Sequence, residues 1–218
     1  MAGSKGGRGG QGAARNSGSG GATPGIQTDD QIIASALGTQ GSAASIKDAV
    51  KNVNPNYSQG REWQTNCQRC VWATEMQRRG YDVEALPRTS DDSYARVDTK
   101  YANSFLNVAQ GGLNLEQVVS PYWKSSAAEF KEHFTNKYDV GARGMIVGQG
   151  RKSGHVFNWE ITQGKNGKQV KFYDGQPGND SVSVSSIQSK WFYFREARMD
   201  NVSVTPLIKD FVKPRGGK

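Results

Sequence analysis

Most of the chemistry this sequence can offer lies in two cysteines, two histidines and one Asp-Gly turn. Cys67 and Cys70 stand three residues apart in NCQRCVWATEMQRRG, His155 opens GHVFNWEI, and Asp174 closes KFYDGQPG. A thiolate at a helix start is stabilised by unpaired backbone N–H groups and by the positive end of the helix dipole. It then needs a histidine as base and a carboxylate or amide to orient that histidine. The chain order Cys, His, Asp supplies all three, with Cys67 or Cys70 as the nucleophile. A zinc site made from Cys67, Cys70, His133 and His155 would have intervals of 63 and 22 residues after the first pair, which fit no compact finger spacing. A redox Cys-x-x-Cys motif would call for a surrounding βαβ pattern that is missing here. Neither a metal nor an organic cofactor is expected. His133, amid Glu129, Lys131 and Glu132, reads as a solvated surface residue. Arg78-Arg79 reads as a helix-end charge pair, and Asp174-Gly175 on its own is also an ordinary turn.

The elements that must position these groups can be read in part. Thr65 followed by Gln68 has the capping-box pattern and predicts a helix starting at 65–66. Gly80 after Arg78-Arg79 ends it, because basic residues and glycine both suit a helix C-terminus. At 100° per residue Ala73, Cys70, Thr74, Cys67 and Val71 share one arc, so both cysteines face the core. One or two short helices are expected over 30–52, and a capped helix over 125–137. Loops with a short helix near 101–110 are expected over 88–124. Strand-like runs follow at Met145–Val147, His155–Ile161, Val170–Tyr173, Trp191–Glu196 and Val202–Val204. Helices followed by an antiparallel sheet make an α+β pattern.

The hairpin between the second and third of these strands decides whether His155 and Asp174 can meet. A turn centred between Gly164 and Lys165 places Asp174 directly opposite His155. A two-residue turn at Asn166-Gly167, the obvious hairpin signal, places it opposite Trp159, about 13 Å too far along the strand. The Cys-His-Asp reading therefore expects a wider loop across 162–169, or a bulge.

The blocks NCQRCVWATEMQRRGYDVEALP and GHVFNWEITQGKNGKQVKFYDGQPG resemble the papain-fold toxin family of protein glutamine deamidases. Its recurring features are Asn-Cys opening a helix, a Gly-His-x-Phe-Asn strand and an Asp-Gly-Gln turn. The resemblance covers about residues 53–178. It implies a papain-like cysteine hydrolase fold with Cys67, His155 and Asp174 as the triad. Gln64, Asn66 and Gln176 stand beside them for oxyanion stabilisation or substrate positioning. In papain itself a glutamine precedes the nucleophile by six residues, a spacing that Gln64 and Cys70 share. The family's Asn-Cys motif and the helix cap favour Cys67, and Cys70 stands as the alternative nucleophile. The resemblance implies a protein substrate carrying a target glutamine. Members occur as bacterial toxin or effector domains and attached to phage head proteins, so an immunity protein or a phage head protein is the further partner it suggests. A cysteine peptidase or transglutaminase would use the same triad, and a non-catalytic virion or interaction module would keep only the fold.

Length and charge bound the rest. The chain has 218 residues and a net charge of +8. Residues 1–26 hold ten glycines and a charge of +3, and residues 209–218 hold another +3. The stretch between them carries 21 bases against 19 acids. The basicity sits at the ends, which argues against nucleic-acid binding by the core domain. Composition places a flexible basic tail at 1–40 and a basic C-terminal tail at 206–218, which leaves 41–205 as the domain that the resemblance implies to be papain-like. The longest apolar runs are about four residues, far below the roughly 20 of a membrane helix. The N-terminus has no apolar signal-peptide segment, so synthesis in the cytoplasm is expected, with delivery as an effector or packaging in a virion left open.

Overall fold

The computed structural model describes residues 27–89, 126–151 and 153–216. The glycine-rich segment 1–26 and the short helix expected near 101–110 lie outside the described residues.

Five helices and turns come first: α1 (Asp29–Leu37), α2 (Ile46–Asn52), a 3-10 turn (Tyr57–Gln59), α3 (Arg61–Gln64) and α4 (Cys67–Arg78), followed by strand β1 (Val83–Ala85). Helix α5 (Ala127–Lys137) then leads into β2 (Arg143–Gln149), β3 (Gly154–Gly164) and β4 (Gly167–Tyr173). Helix α6 (Val184–Lys190), β5 (Tyr193–Arg198), a 3-10 helix (Pro206–Asp210) and β6 (Val212–Pro214) complete the order. Helices α1 and α5 start with capping boxes, Thr28 with Gln31 and Ser126 with Glu129, each satisfying two otherwise orphaned N–H groups.

The larger sheet is antiparallel in the order β4-β3-β2-β5. Strand alternation gives it two buried faces. Met145, Val147, Val156 and Ala197 face α4, while Ile146, Phe157, Trp159, Ile161, Phe172 and Phe194 face α5 and α6. There Phe130 meets Phe172 and Phe194 edge-on at ring distances of 5.4 and 4.9 Å, a favourable aromatic geometry. Helix α4 is buried nearly all round, because the second sheet (β1 with β6) and α2 pack on its other sides, and α1 and the C-terminal 3-10 helix join the same core cluster. The chain is thus α+β, as its sequence pattern predicts.

Three expectations are corrected. First, the domain is larger than 41–205. Ala36 and Leu37 of α1, and Ile208, Phe211 and Val212, belong to the same core cluster as α4. Charge and glycine content marked these ends as tails, but a few apolar residues among the polar ones suffice to anchor them. Second, Val202–Val204 forms no strand beyond a single bridge residue at Val204, and both valines are buried in the α4 core instead. Third, the β3–β4 hairpin takes neither expected register. Gly164 pairs with Gly167 around Lys165-Asn166, and Gly167 adopts a φ of 110° that favours glycine.

If 206–218 were a tail, its removal would leave stability unchanged. Ile208, Phe211 and Val212 are all nearly inaccessible, and each buried side chain of this size is worth roughly 1.5–3 kcal/mol. Truncation after Thr205 is therefore expected to lower unfolding free energy by several kcal/mol, measured by urea denaturation.

Candidate active site

The site begins where α3 gives way to α4. The expected Thr65–Gln68 capping box does not form. Thr65 Oγ1 donates to the Arg61 carbonyl at 2.8 Å, which closes α3, and Asn66 becomes the N-cap of α4 without a side-chain cap bond. The backbone carbonyl of Asn66 accepts from the N–H groups of both Arg69 (2.9 Å) and Cys70 (3.1 Å). The N–H groups of Cys67 and Gln68 precede these first bonded donors and have no intrahelical acceptor.

The Asn66 side chain turns inward. Its Nδ2 donates to Asn54 Oδ1 (3.3 Å) and to the Leu86 carbonyl (3.0 Å). Its Oδ1 accepts from Asn54 Nδ2 (3.4 Å), Cys70 Sγ (3.3 Å) and Gln176 Nε2 (3.4 Å). Both amide hydrogens of Asn66 are therefore engaged within the protein, which corrects its expected role as a donor to an oxyanion. Gln176 lies in the same buried network, and its carbonyl accepts from Asn54 at 2.8 Å. Gln64 is exposed at the end of α3, and its carboxamide has no hydrogen-bond partner among the described residues.

His155 and Asp174 meet through a diagonal contact. The register pairs Asn158 with Tyr173, so its continuation would bring Asp174 opposite Phe157, on the same strand face as His155 and one pleat away. Strand β4 stops at Tyr173, and Asp174 turns out of it. Its backbone pairs with Asn179, and its Oδ1 accepts from the Gln176 N–H at 3.0 Å. Asp174 Oδ2 then lies 2.6 Å from His155 Nε2. Gly175 lets this turn lie against α4. A Cβ there would come within 2.5 Å of Thr74 Oγ1 and 2.7 Å of Val53 Cγ2.

Cys67 lies near enough to His155 to act on its protonation; with Nε2 committed to Asp174, Nδ1 is the nitrogen left to face the thiol. Burial disfavours the imidazolium, but the hydrogen bonds and negative charges of Asp174 and Cys67 outweigh it and push the histidine pKa from its ordinary 6.5 up to about 10. Cys67 Sγ lies 3.4 Å from Gln68 Oε1. Cys70 is different: burial pushes its thiol well above the ordinary value, and the charges of Cys67 and Asp174 add to the effect against an opposing Arg69.

Sequence reasoning missed a stack that fixes the imidazole plane. Trp191 lies nearly parallel to His155 at 5.5 Å between ring centroids, with Phe157 at 5.9 Å on the same strand. Gly148, paired with His155 across β2–β3, makes room for the indole. A Cβ at residue 148 would come within 2.7 Å of Trp191 Cγ. The only sequence signal was an aromatic residue near the start of a predicted strand.

The remaining candidates sit elsewhere. His133 is not simply solvated: its Nε2 lies 2.9 Å from Oε1 of the buried Glu196, which also accepts from Lys137. Arg78 and Arg79 pair with Glu160 and Glu75. Among the described residues no cluster of three or more His, Cys, Asp or Glu side chains is placed to hold a metal ion.

The family model described as papain fold toxin 1, glutamine deamidase, matches residues 65–179 of the chain. This stretch runs from the α3–α4 turn to the Asn179 bridge that closes the Asp174 turn. No curated protein and no solved structure matches the chain.

Two outcomes follow from this geometry. The folded pKa of His155 exceeds its unfolded value, so the stabilisation it contributes is complete below about pH 6.5 and is lost as pH rises toward about 10. Imidazole NMR should show His155 protonated well above neutrality, and Asp174→Asn should lower its pKa toward the ordinary value. Gly175→Ala forces a methyl group against Thr74 and Val53 and should cost about 1–3 kcal/mol of stability, measured by thermal or urea unfolding.

Proposed function

The chain belongs to the papain fold toxin 1, glutamine deamidase family, and from that premise we propose that it deamidates a glutamine side chain of a target protein, with Cys67 as nucleophile, His155 as acid and base, and Asp174 as the group that orients His155. The observation that carries this reading is the 2.6 Å His155–Asp174 contact beside Cys67, the first residue of α4.

The chemistry follows from the atoms present. His155, oriented by Asp174, takes the proton of the Cys67 thiol, and the sulfur attacks the carboxamide carbon of the target glutamine. The tetrahedral oxyanion is met by the N–H groups of Cys67 and Gln68, which have no intrahelical acceptor and whose dipoles point out of the helix start. The exposed Gln64 carboxamide is free to assist them. Ammonia departs with the proton from His155, leaving a thioester on Cys67. His155 then deprotonates a water that hydrolyses the thioester, and glutamate and free thiol result. Trp191 keeps the imidazole plane fixed through both proton transfers.

Cys70 does not fit the nucleophile's part. It is 1% exposed, its thiol is bonded to Asn66 Oδ1, and burial favours its neutral form. Gln64, six residues before it, lies on a separate helix that ends before Asn66.

Intact mass of a treated target protein distinguishes the reactions a thioester could serve. Deamidation adds about 1 Da per glutamine, whereas proteolysis gives fragments and transglutamination gives crosslinks. Cys67→Ala should lower the deamidation rate by at least about a thousandfold, while Cys70→Ala should stay within about threefold of wild type. Full activity in Cys67→Ala would overturn the assignment.

A further inference from the structure

Cys70 is a buried thiol one helical turn beyond the nucleophile, and the deamidation chemistry leaves it without a part. Two cysteines at positions i and i+3 of an α-helix have Cα atoms about 5 Å apart from the helix rise and radius, inside the 4.4–6.8 Å window of disulfides. Their Cβ atoms are ordinarily wider apart than a disulfide needs, so the first turn must tighten to bring the sulfurs together. The turn that enters it, over residues 66–69, is wound that way. The Asn66 carbonyl accepts from Arg69, three residues on, as well as from Cys70, four residues on, and a three-residue turn brings i and i+3 side chains toward eclipse. Both cysteines are free thiols in the same core cluster. They are close enough for the charge of Cys67 to act on Cys70.

We infer that Cys70 is the resolving thiol of a reversible oxidation at Cys67, closing a Cys67–Cys70 disulfide that switches the enzyme off and protects its nucleophile. The oxidant is a hydroperoxide. The Cys67 thiolate attacks one peroxide oxygen, the O–O bond breaks, and Cys67 becomes a sulfenic acid with release of hydroxide. The Cys70 sulfur then attacks the Cys67 sulfur. The S–S bond forms, the S–O bond breaks, and the Cys70 proton leaves with the oxygen as water. The peroxide gains two electrons, and the cysteine pair loses two. A dithiol returns them by thiol–disulfide exchange. The tightly buried Cys70 rarely reacts on its own, and its place beneath Cys67 makes it the first nucleophile a sulfenic acid there would meet.

This inference rests on Cys67 being the reactive thiol of the proposed deamidase, so its test reads mass as well as activity. The full chain is treated with a severalfold molar excess of hydrogen peroxide, because a gain of about 32 or 48 Da at one sulfur consumes two or three equivalents, then with dithiothreitol, and followed by intact and peptide mass. The expected result is a loss of about 2 Da, a Cys67–Cys70 crosslinked peptide, loss of iodoacetamide labelling, and recovery of both mass and labelling with dithiothreitol. Cys70→Ser and Cys70→Ala, tested side by side against effects of the buried substitution, should instead gain about 32 or 48 Da at Cys67 and recover at least about tenfold less labelling. Wild-type protein that passes directly to those over-oxidised masses, or that recovers no better than the Cys70 variants, would overturn the inference. The crosslink is read by mass without any target protein, so its formation in a chain that deamidates nothing would fault the function and leave the switch standing. A deamidase that forms no crosslink would fault the switch alone.

Discussion

A carboxamide buried away from water needs partners for two hydrogens and for its oxygen, and leaving them unmet costs more than each bond returns. Asn66 is 1% exposed and meets that demand with groups from four parts of the chain: Asn54 after α2, Leu86 after β1, Cys70 in α4 and Gln176 beyond the Asp174 turn. The α4 N-terminus is thereby tied to the turn that bears Asp174, whose Oδ1 is held in turn by the Gln176 N–H. Cys67 and Asp174 thus reach His155 from opposite ends of one hydrogen-bonded unit. The family's Asn before its Cys is, in this chain, a fixture for the helix start.

The far half of α4 is held by charge. Glu75 is buried between Arg79 and Arg143, and Arg78 makes a two-toothed contact with Glu160 on β3. Removing one member of such a buried pair strands the other, which costs far more than an exposed pair contributes. These bonds secure α4 along the sheet, and Asn158 Nδ2 adds a tie to the Val71 carbonyl midway. The excess charge of the chain lies toward its ends.

Local signals were legible in the sequence, and distant ones were not. The α4 helix ends where Arg78, Arg79 and Gly80 predict, and it starts where Thr65 predicts but without the capping box, because Thr65 bonds back to Arg61 and not forward. The strands that carry His155 and Asp174 were found from their aromatic and β-branched runs. Their register was missed by one residue each way, because Asn166-Gly167 marks the hairpin but does not say which pair of residues forms its tip. Asn54 and Gln176, 122 residues apart, left no pattern that could announce their contact. The same holds for Trp191 over His155, and for α1 and β6 closing on α4, since each depends on where the chain returns and not on what its neighbours are.

In the proposed deamidase His155, held by Asp174, activates Cys67 alone of the two thiols. Iodoacetamide alkylation at neutral pH, resolved by peptide mass, measures it directly. Cys67 should be modified at least about tenfold faster than Cys70, and His155→Ala should remove that advantage. Equal rates at the two cysteines, or a Cys67 rate indifferent to His155, would contradict the account.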